Sequence, residues 1–208
     1  MLEASLTCVM ERVEHEGEKV KGSRFIGVAA PARSADEARA LAEELWAEHP
    51  NARHVCWAYR GEGRDELRWA DDGEPTGTAG RPILSVIEGS GLSWVTVAVV
   101  RYFGGTKLGT GGLARAYSEA ASEVLKRAER VELSPKVDLR IKLSYPYEGG
   151  AQRLITSWEG QLQEARYEAE VELWVTLDAS RVDQALVELS ELSLGSAQVE
   201  RSEPYLGA

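Results

Sequence analysis

The chain is poor in the residues that cross-link, anchor or chelate. Only two cysteines, Cys8 and Cys56, occur in 208 residues. That is too few for a disulfide framework and points to a reducing compartment, the cytoplasm. No apolar run approaches the roughly 18–20 residues that a membrane helix needs, so no membrane partner is expected. The first residues, MLEASLTCVMERVEHEGEKV, lack the basic start and apolar block of a signal peptide. Cations are outnumbered: 24 Lys+Arg stand against 34 Asp+Glu, a formal net charge of −10. Such a balance argues against wholesale coating of DNA or an anionic membrane, and leaves room for a local basic site. Asparagine occurs once, at Asn51, and Arg outnumbers Lys 18 to 6, a mix in keeping with a thermostable source. Internal repeats, low-complexity tracts and long linkers are absent.

What is present is a foldable, two-part chain. Hydrophobic residues make up 43%, enough for a buried core, and the length allows one or two domains. The sequence divides near Ser134-Pro135, giving domains over 1–134 and 135–208. Before the joint, GGLARAYSEAASEVLKRAERVEL places Leu113, Ala116, Tyr117, Ala120, Val124, Leu125 and Ala128 at helical steps of three and four. Pro135 then forbids continuation of that helix. A second helix is predicted over Ser34–Glu48, where Ser34 and Glu37 fit a capping box, and a third over Arg81–Glu88. Strands are predicted at Leu6–Val13, Arg24–Ala30, His54–Tyr59, Glu66–Trp69 and Trp94–Phe103. The nearly continuous apolar run WVTVAVVRYF reads as a central strand covered on both faces. After the joint the pattern is strand (137–145), helix (146–157), strand (161–168), strand (170–177), helix (180–192), strand (196–201). That order is βαββαβ, the ferredoxin-like split unit, so the whole chain reads as α+β.

The chemistry concentrates in Asp71–Tyr117. DDGEPTGTAGRPIL and RYFGGTKLGTGGLARAY each carry a glycine-rich loop that opens a helix. Free N–H groups at helix N-termini favour an anion, most often phosphate. From Pro75 to Ile87 there is one cation, Arg81, and no acid; from Arg101 to Ser118 there are three, Arg101, Lys107 and Arg115, and again no acid. Two readings stand: an anion-binding pair of loops, or tight turns with ordinary surface charges. GGTKLGTGG is not a Walker P-loop, and Gly109–Ala114 matches G-x-G-x-x-A without the strand spacing of a dinucleotide site. Asp71, Asp72 and Glu74 suit either Mg²⁺ beside a phosphate or an Asp-Gly turn.

His54 and Cys56 share a strand face; the readings are core or groove wall, or a Cys–His nucleophile pair. His15 and His49 read as solvated. Trp57, Tyr59, Trp69, Tyr102 and Phe103 suit either base stacking or the core.

The blocks KGSRFIG (21–27), NARHVCWAY (51–59), DDGEPTGTAGRPIL (71–84) and VVRYFGGTKLGTGGLARAY (99–117) together closely resemble the YigZ/IMPACT family. The resemblance covers about the first 130 residues, and the βαββαβ tail looks like the extra domain of bacterial members. It implies a first domain similar to domain 2 of ribosomal protein S5 and a second similar to the ferredoxin-like domain V of elongation factor G. Eukaryotic relatives regulate translation through protein contact. Some relatives are labelled proline dipeptidase, a label this chain does not support: its three histidines include no pair with ligand spacing. The family's shared segments map onto Lys21, Ser23, Arg24 and Phe25; His54, Ala58 and Tyr59; 72–75 and 77–80; and Arg101, Tyr102, Gly104, Gly105, Lys107, Leu108, Gly109 and 111–113, as a binding surface with no catalytic residue.

The expectation is a non-enzymatic module in translation, with no cofactor and no metal. It would bind RNA, the ribosome or a translation-regulatory protein through Lys21, Arg24, Arg81, Arg101, Tyr102, Gly104, Gly105, Lys107, Gly109, Gly111, Gly112 and Arg115. His54, Asp72, Glu74 and Thr78 form a candidate pocket. The alternative is a Mg²⁺-dependent enzyme acting on a phosphorylated small molecule.

Overall fold

The structure, a computed structural model, describes residues 5–63 and 66–207. It is mixed α/β, with antiparallel sheets and five α-helices among the described residues. The chain divides into two compact units, one over Leu6–Glu132 and one beginning at Leu133.

In the first unit, β1 (Leu6–Val9), β2 (Val13–Glu16) and β3 (Arg24–Pro31) precede α1 (Ala35–Glu48). Then come β4 (His54–Arg60), β5 (Leu67–Ala70), α2 (Gly80–Ser90), β6 (Val95–Tyr102) and α3 (Thr110–Arg127). A five-stranded antiparallel sheet runs β2-β3-β6-β4-β5. Its central strand is β6, buried from Val95 to Arg101. Period-two alternation assigns the two faces. Ile26, Val28, Val55, Ala98 and Val100 meet Leu41, Ala42 and Leu45 of α1. Phe25, Ala29, Cys56, Ala58, Val97 and Val99 meet α2 and α3 on the other side. The helical steps read in α3 are the buried positions: Leu113, Ala116, Tyr117, Ala120, Val124 and Leu125 all face that core. Each such large side chain contributes roughly 1.5–3 kcal/mol of burial.

Local signals explain the ends. Ser34 Oγ accepts from Glu37 N–H (3.2 Å), and the Glu37 carboxylate accepts from Arg33 N–H (2.7 Å), one residue ahead of the cap. The expected strand Leu6–Val13 is two short ones, separated by Met10–Arg12. Only β2 joins the five-stranded sheet. α3 ends at Arg127, well before Pro135. Pro135 instead lies inside a strand, β7 (Arg130–Leu143), where its fixed φ is compatible with extended chain.

The second unit continues with α4 (Glu148–Ser157), β8 (Gln161–Tyr167), β9 (Val171–Asp178), α5 (Val182–Leu192), β10 (Gln198–Arg201) and β11 (Tyr205–Gly207). β10 and β9 flank β7, and β8 lies beyond β9, all antiparallel. Alternate residues Val137, Leu139, Ile141 and Leu143 pack with Val171, Leu173, Val175 and Leu177 beneath α4 and α5. β11, which the sequence pattern did not announce, pairs with the first part of β7. No helix among the described residues is long and apolar enough to cross a membrane.

Candidate functional site

The two glycine loops are built differently. Ahead of α2, the Asp71 carboxylate accepts from the N–H groups of Gly77 (2.7 Å), Ala79 (3.0 Å) and Gly80 (2.8 Å). The loop thus carries its own internal anion, supplied from just outside the acid-free stretch. Asp72 Oδ2 accepts from Val55 N–H (2.7 Å). Both aspartates are therefore spent on backbone donors, which leaves the Mg²⁺ reading without convergent free carboxylates. Among the described residues no group of three potential ligands gathers. Thr78 Oγ1 donates to Pro75 O (2.6 Å) and braces the same turn.

The loop ahead of α3 is open. The N-cap is Gly109, with no side-chain cap and no acid in the first turn. Leu113 N–H is the first to bond back, to Gly109 O (2.9 Å). The N–H groups of Thr110, Gly111 and Gly112 have no partner among the described residues, as expected of an uncapped helix start. The loop is anchored at its other end. A Cβ on Gly104 would fall 1.9 Å from the Gly22 carbonyl carbon, so this position must be glycine. Ser23 Oγ accepts from Gly104 N–H (3.1 Å) and from Arg101 Nη2 (3.5 Å), tying the Lys21–Ser23 turn to the loop.

Below the loop lies a buried polar cluster. Glu74 Oε1 accepts from Arg101 Nη1 (2.5 Å) and from Tyr117 Oη (2.8 Å). His54 Nε2 is 3.8 Å from the same oxygen. His54 Nδ1 lies 2.7 Å from the Asp72 carbonyl, an acceptor only, so Nδ1 carries the proton and Nε2 is left for the cleft. Burial raises the Tyr117 hydroxyl far above the usual phenol range, which keeps it a neutral donor. Burial likewise pushes the Cys56 thiol up, while Sγ is held against Asp71 O (3.0 Å) and Tyr117 Oη (3.4 Å). A thiol so held is not a thiolate, and the Cys–His nucleophile pair is not formed.

Arg53, His54, Glu74, Pro75, Arg101, Phe103, Lys107, Leu108, Gly109, Thr110 and Leu113 line one cleft of about 600 Å³. Of the candidate binding and pocket residues, His54, Glu74, Arg101, Lys107 and Gly109 meet there, whereas Asp72 and Thr78 lie outside its lining. Gly104 and Gly105 lie in the adjoining loop, and Gly111 and Gly112 in the first turn of α3; Lys21 sits in the turn against Gly104. Others are elsewhere. Arg24 is paired in two contacts with Glu16 (2.7 and 2.8 Å) and lies over the Tyr102 ring. Tyr102 packs with the α1 face, and its hydroxyl meets His49 (2.9 Å), so His49 is not simply solvated. Arg81 lies over Trp69, and Arg115 is exposed on α3 outside the cleft lining. Tyr59 is fully buried, whereas Phe103 is 50% exposed at the cleft. Arg53 was missed; its position beside His54, in a block already marked, was the available signal.

The site thus belongs to a two-unit α/β chain whose first unit carries an open, cation-rimmed glycine loop over a buried Glu–Arg pair. The model of the Impact N-terminal domain matches residues 21–125, the stretch that contains the whole cleft. The chain is 37% identical over 185 residues to the IMPACT family member YigZ of Escherichia coli, covering 88% of this chain and 91% of that one. It is 40% identical over 182 residues to an IMPACT family member of Thermus thermophilus (87% and 99%), and 33% over 196 residues to YvyE of Bacillus subtilis (94% and 90%). A solved structure of a hypothetical protein aligns with a TM-score of 0.65 at 35% identity, over 97% of this chain and 99% of that one. The chain belongs to the IMPACT family.

Proposed function

We propose that the protein is a non-enzymatic binding module that acts in translation by holding RNA, on or off the ribosome, at the Gly104–Gly112 loop. The observation that carries this reading is the uncapped start of α3 beside Lys107 and Arg53. Both cations are exposed, and neither has a carboxylate partner among the described residues. In an acidic chain, free donors and unpaired cations at one loop attract phosphate. Arg101 is not part of the grip as a free charge, because Glu74 neutralises it. The first loop, filled by Asp71, is scaffold. The likeness to domain 2 of ribosomal protein S5, and of the second unit to a ferredoxin-like βαββαβ domain, belongs to the same proposal. The strand order β10-β7-β9-β8 supports its second half.

The test is binding of a short single-stranded RNA and co-sedimentation with ribosomes, each across a salt series. RNA binding should weaken steeply with salt, and Lys107→Ala with Arg53→Ala should flatten the slope by roughly one to two phosphate contacts. Absence of RNA and ribosome binding at low salt would sink the reading.

A further inference from the structure

The sheet of the second unit leaves one long edge open. β8 pairs with β9 on one side, and no strand among the described residues takes its other side. The other strands at sheet edges are short: β1, β2, β5 and β10 have four residues each and β11 has three. Shortness is one way a protein keeps an edge from pairing with another chain. β8 has seven residues, without proline or lysine, and six of the seven are exposed. Leu162 and Tyr167, near its two ends, are 44% and 54% exposed. Its one irregularity, a register shift between Leu162 and Glu164, leaves Glu164–Tyr167 in regular register with β9.

The charges on that edge complement themselves. Glu164 and Arg166 flank Ala165 and share the sheet face away from the helices: they stand in register with Trp174 and Glu172, while Ala165 and Leu173 face the core. In antiparallel pairing about a two-fold axis at Ala165, each Glu164 stands directly opposite Arg166 of the second copy. An axis at Glu164 or at Arg166 would set two like charges face to face, so the charges select one register. Within one strand Glu164 and Arg166 already meet at 2.7 Å. Two such strands side by side bring their charges into a square of alternating sign.

We propose that β8 is the interface between two copies of this chain, joined edge to edge as antiparallel strands centred on Ala165. The unpaired backbone groups of β8 supply the hydrogen bonds, and the Glu164–Arg166 pairs across the axis fix the register. The second copy also covers the exposed side chains at the strand ends. The proposal goes beyond RNA binding and does not depend on it, because every residue it uses lies in the second unit.

The experiment is sedimentation equilibrium of the full chain from micromolar to millimolar concentration, with backbone amide hydrogen exchange read at both ends of the series. The parent should pass from monomer to dimer, and amides within 162–167 should gain protection as it does. Arg166→Glu and Glu164→Arg each set like charges opposite one another and should weaken the dimer by about tenfold or more. The double variant Glu164→Arg/Arg166→Glu restores the complement and should restore the dimer. Melting curves of all four chains separate loss of folding from loss of pairing, and the exchange pattern of the parent needs no variant. A parent that stays monomeric throughout overturns the proposal. So does a dimer that ignores the single reversals, one that the double exchange fails to rescue, or one whose 162–167 amides gain no protection. Species that grow beyond two copies overturn it as well, because a two-fold edge pairing closes.

Discussion

Glu74 and Arg101 meet inside the first unit, Nη1 to Oε1 at 2.5 Å, with side chains 3% and 6% exposed. The carboxylate comes from the loop after β5 and the guanidinium from the central strand β6. Tyr117 of α3 donates to the same oxygen, so one carboxylate joins loop, sheet and helix. The pair adds no net charge to the cleft, so in the proposed function any attraction for an anion would rest on the rim cations.

Removing the carboxylate alone therefore strands a charge. Glu74→Ala should cost about 3–5 kcal/mol, since breaking a buried pair leaves Arg101 uncompensated. Glu74→Gln, which still accepts from Tyr117, should cost less. Denaturant unfolding, followed by a probe in the first unit, gives the comparison. A loss under about 1 kcal/mol for the alanine variant would show that the pair does not hold these elements together.

Asp71 acts as a cap for the whole loop ahead of α2. Its two oxygens satisfy three backbone donors. Asp71→Ala should destabilise by about 2 kcal/mol, the upper end for loss of a cap, and Asp71→Asn by less. Neither should alter RNA binding beyond what unfolding explains. A selective loss of binding in a fully folded Asp71→Asn variant would return the first loop to the binding surface.

Most of this architecture was legible in sequence because it depends on periodicity. The helix steps of α3, the apolar run of β6 and the Ser34–Glu37 cap are local patterns, and each appears where its residues predict. What was not legible depends on contacts distant in sequence. The stretch Pro75–Ile87 contains no acid, yet Asp71 reaches into it from the turn after β5. Arg101 reads as a free cation until Glu74, 27 residues earlier, is folded against it. Pro135 reads as the stop of the preceding helix, but that helix has already ended at Arg127 and the chain at Pro135 is extended in β7. β11 is three residues long and has no period to detect.

Gly104 tests how the open loop is held. Alanine there meets the Gly22–Ser23 backbone at 1.9–2.1 Å, too close for side-chain adjustment. The strain should cost about 1–3 kcal/mol or more, and separation of the loop from the Lys21–Ser23 turn should lower RNA affinity. If Gly104→Ala binds RNA as the parent does, the anchored loop geometry is not what the ligand requires.

Cys56 should be inert in the folded chain. Burial raises the thiol pKa, and Sγ is enclosed by Asp71 and Tyr117. Iodoacetamide at pH 8 should label it only after denaturation, and Cys56→Ser should leave ligand binding intact. Rapid labelling of the native protein would mean that the thiol has access to the cleft.

A pH effect is expected at the far end of α3. Glu123 accepts from Lys126 Nζ and Arg127 Nη1, both at 2.7 Å, in the helix's last turns. Those hydrogen bonds, from Lys126 first and Arg127 next, hold its carboxyl at about 2, down from 4.5. A depressed folded-state pKa means the unfolded chain binds the proton more readily. The contribution to stability is therefore fully present above about pH 4.5 and is lost as pH falls toward 2. Because the group faces solvent, screening by salt should shrink it. Melting curves of the parent and Glu123→Gln should differ most at neutral pH and low salt, and converge through that acid window. Curves that stay parallel down to pH 2 would show that the pairing contributes nothing to the fold.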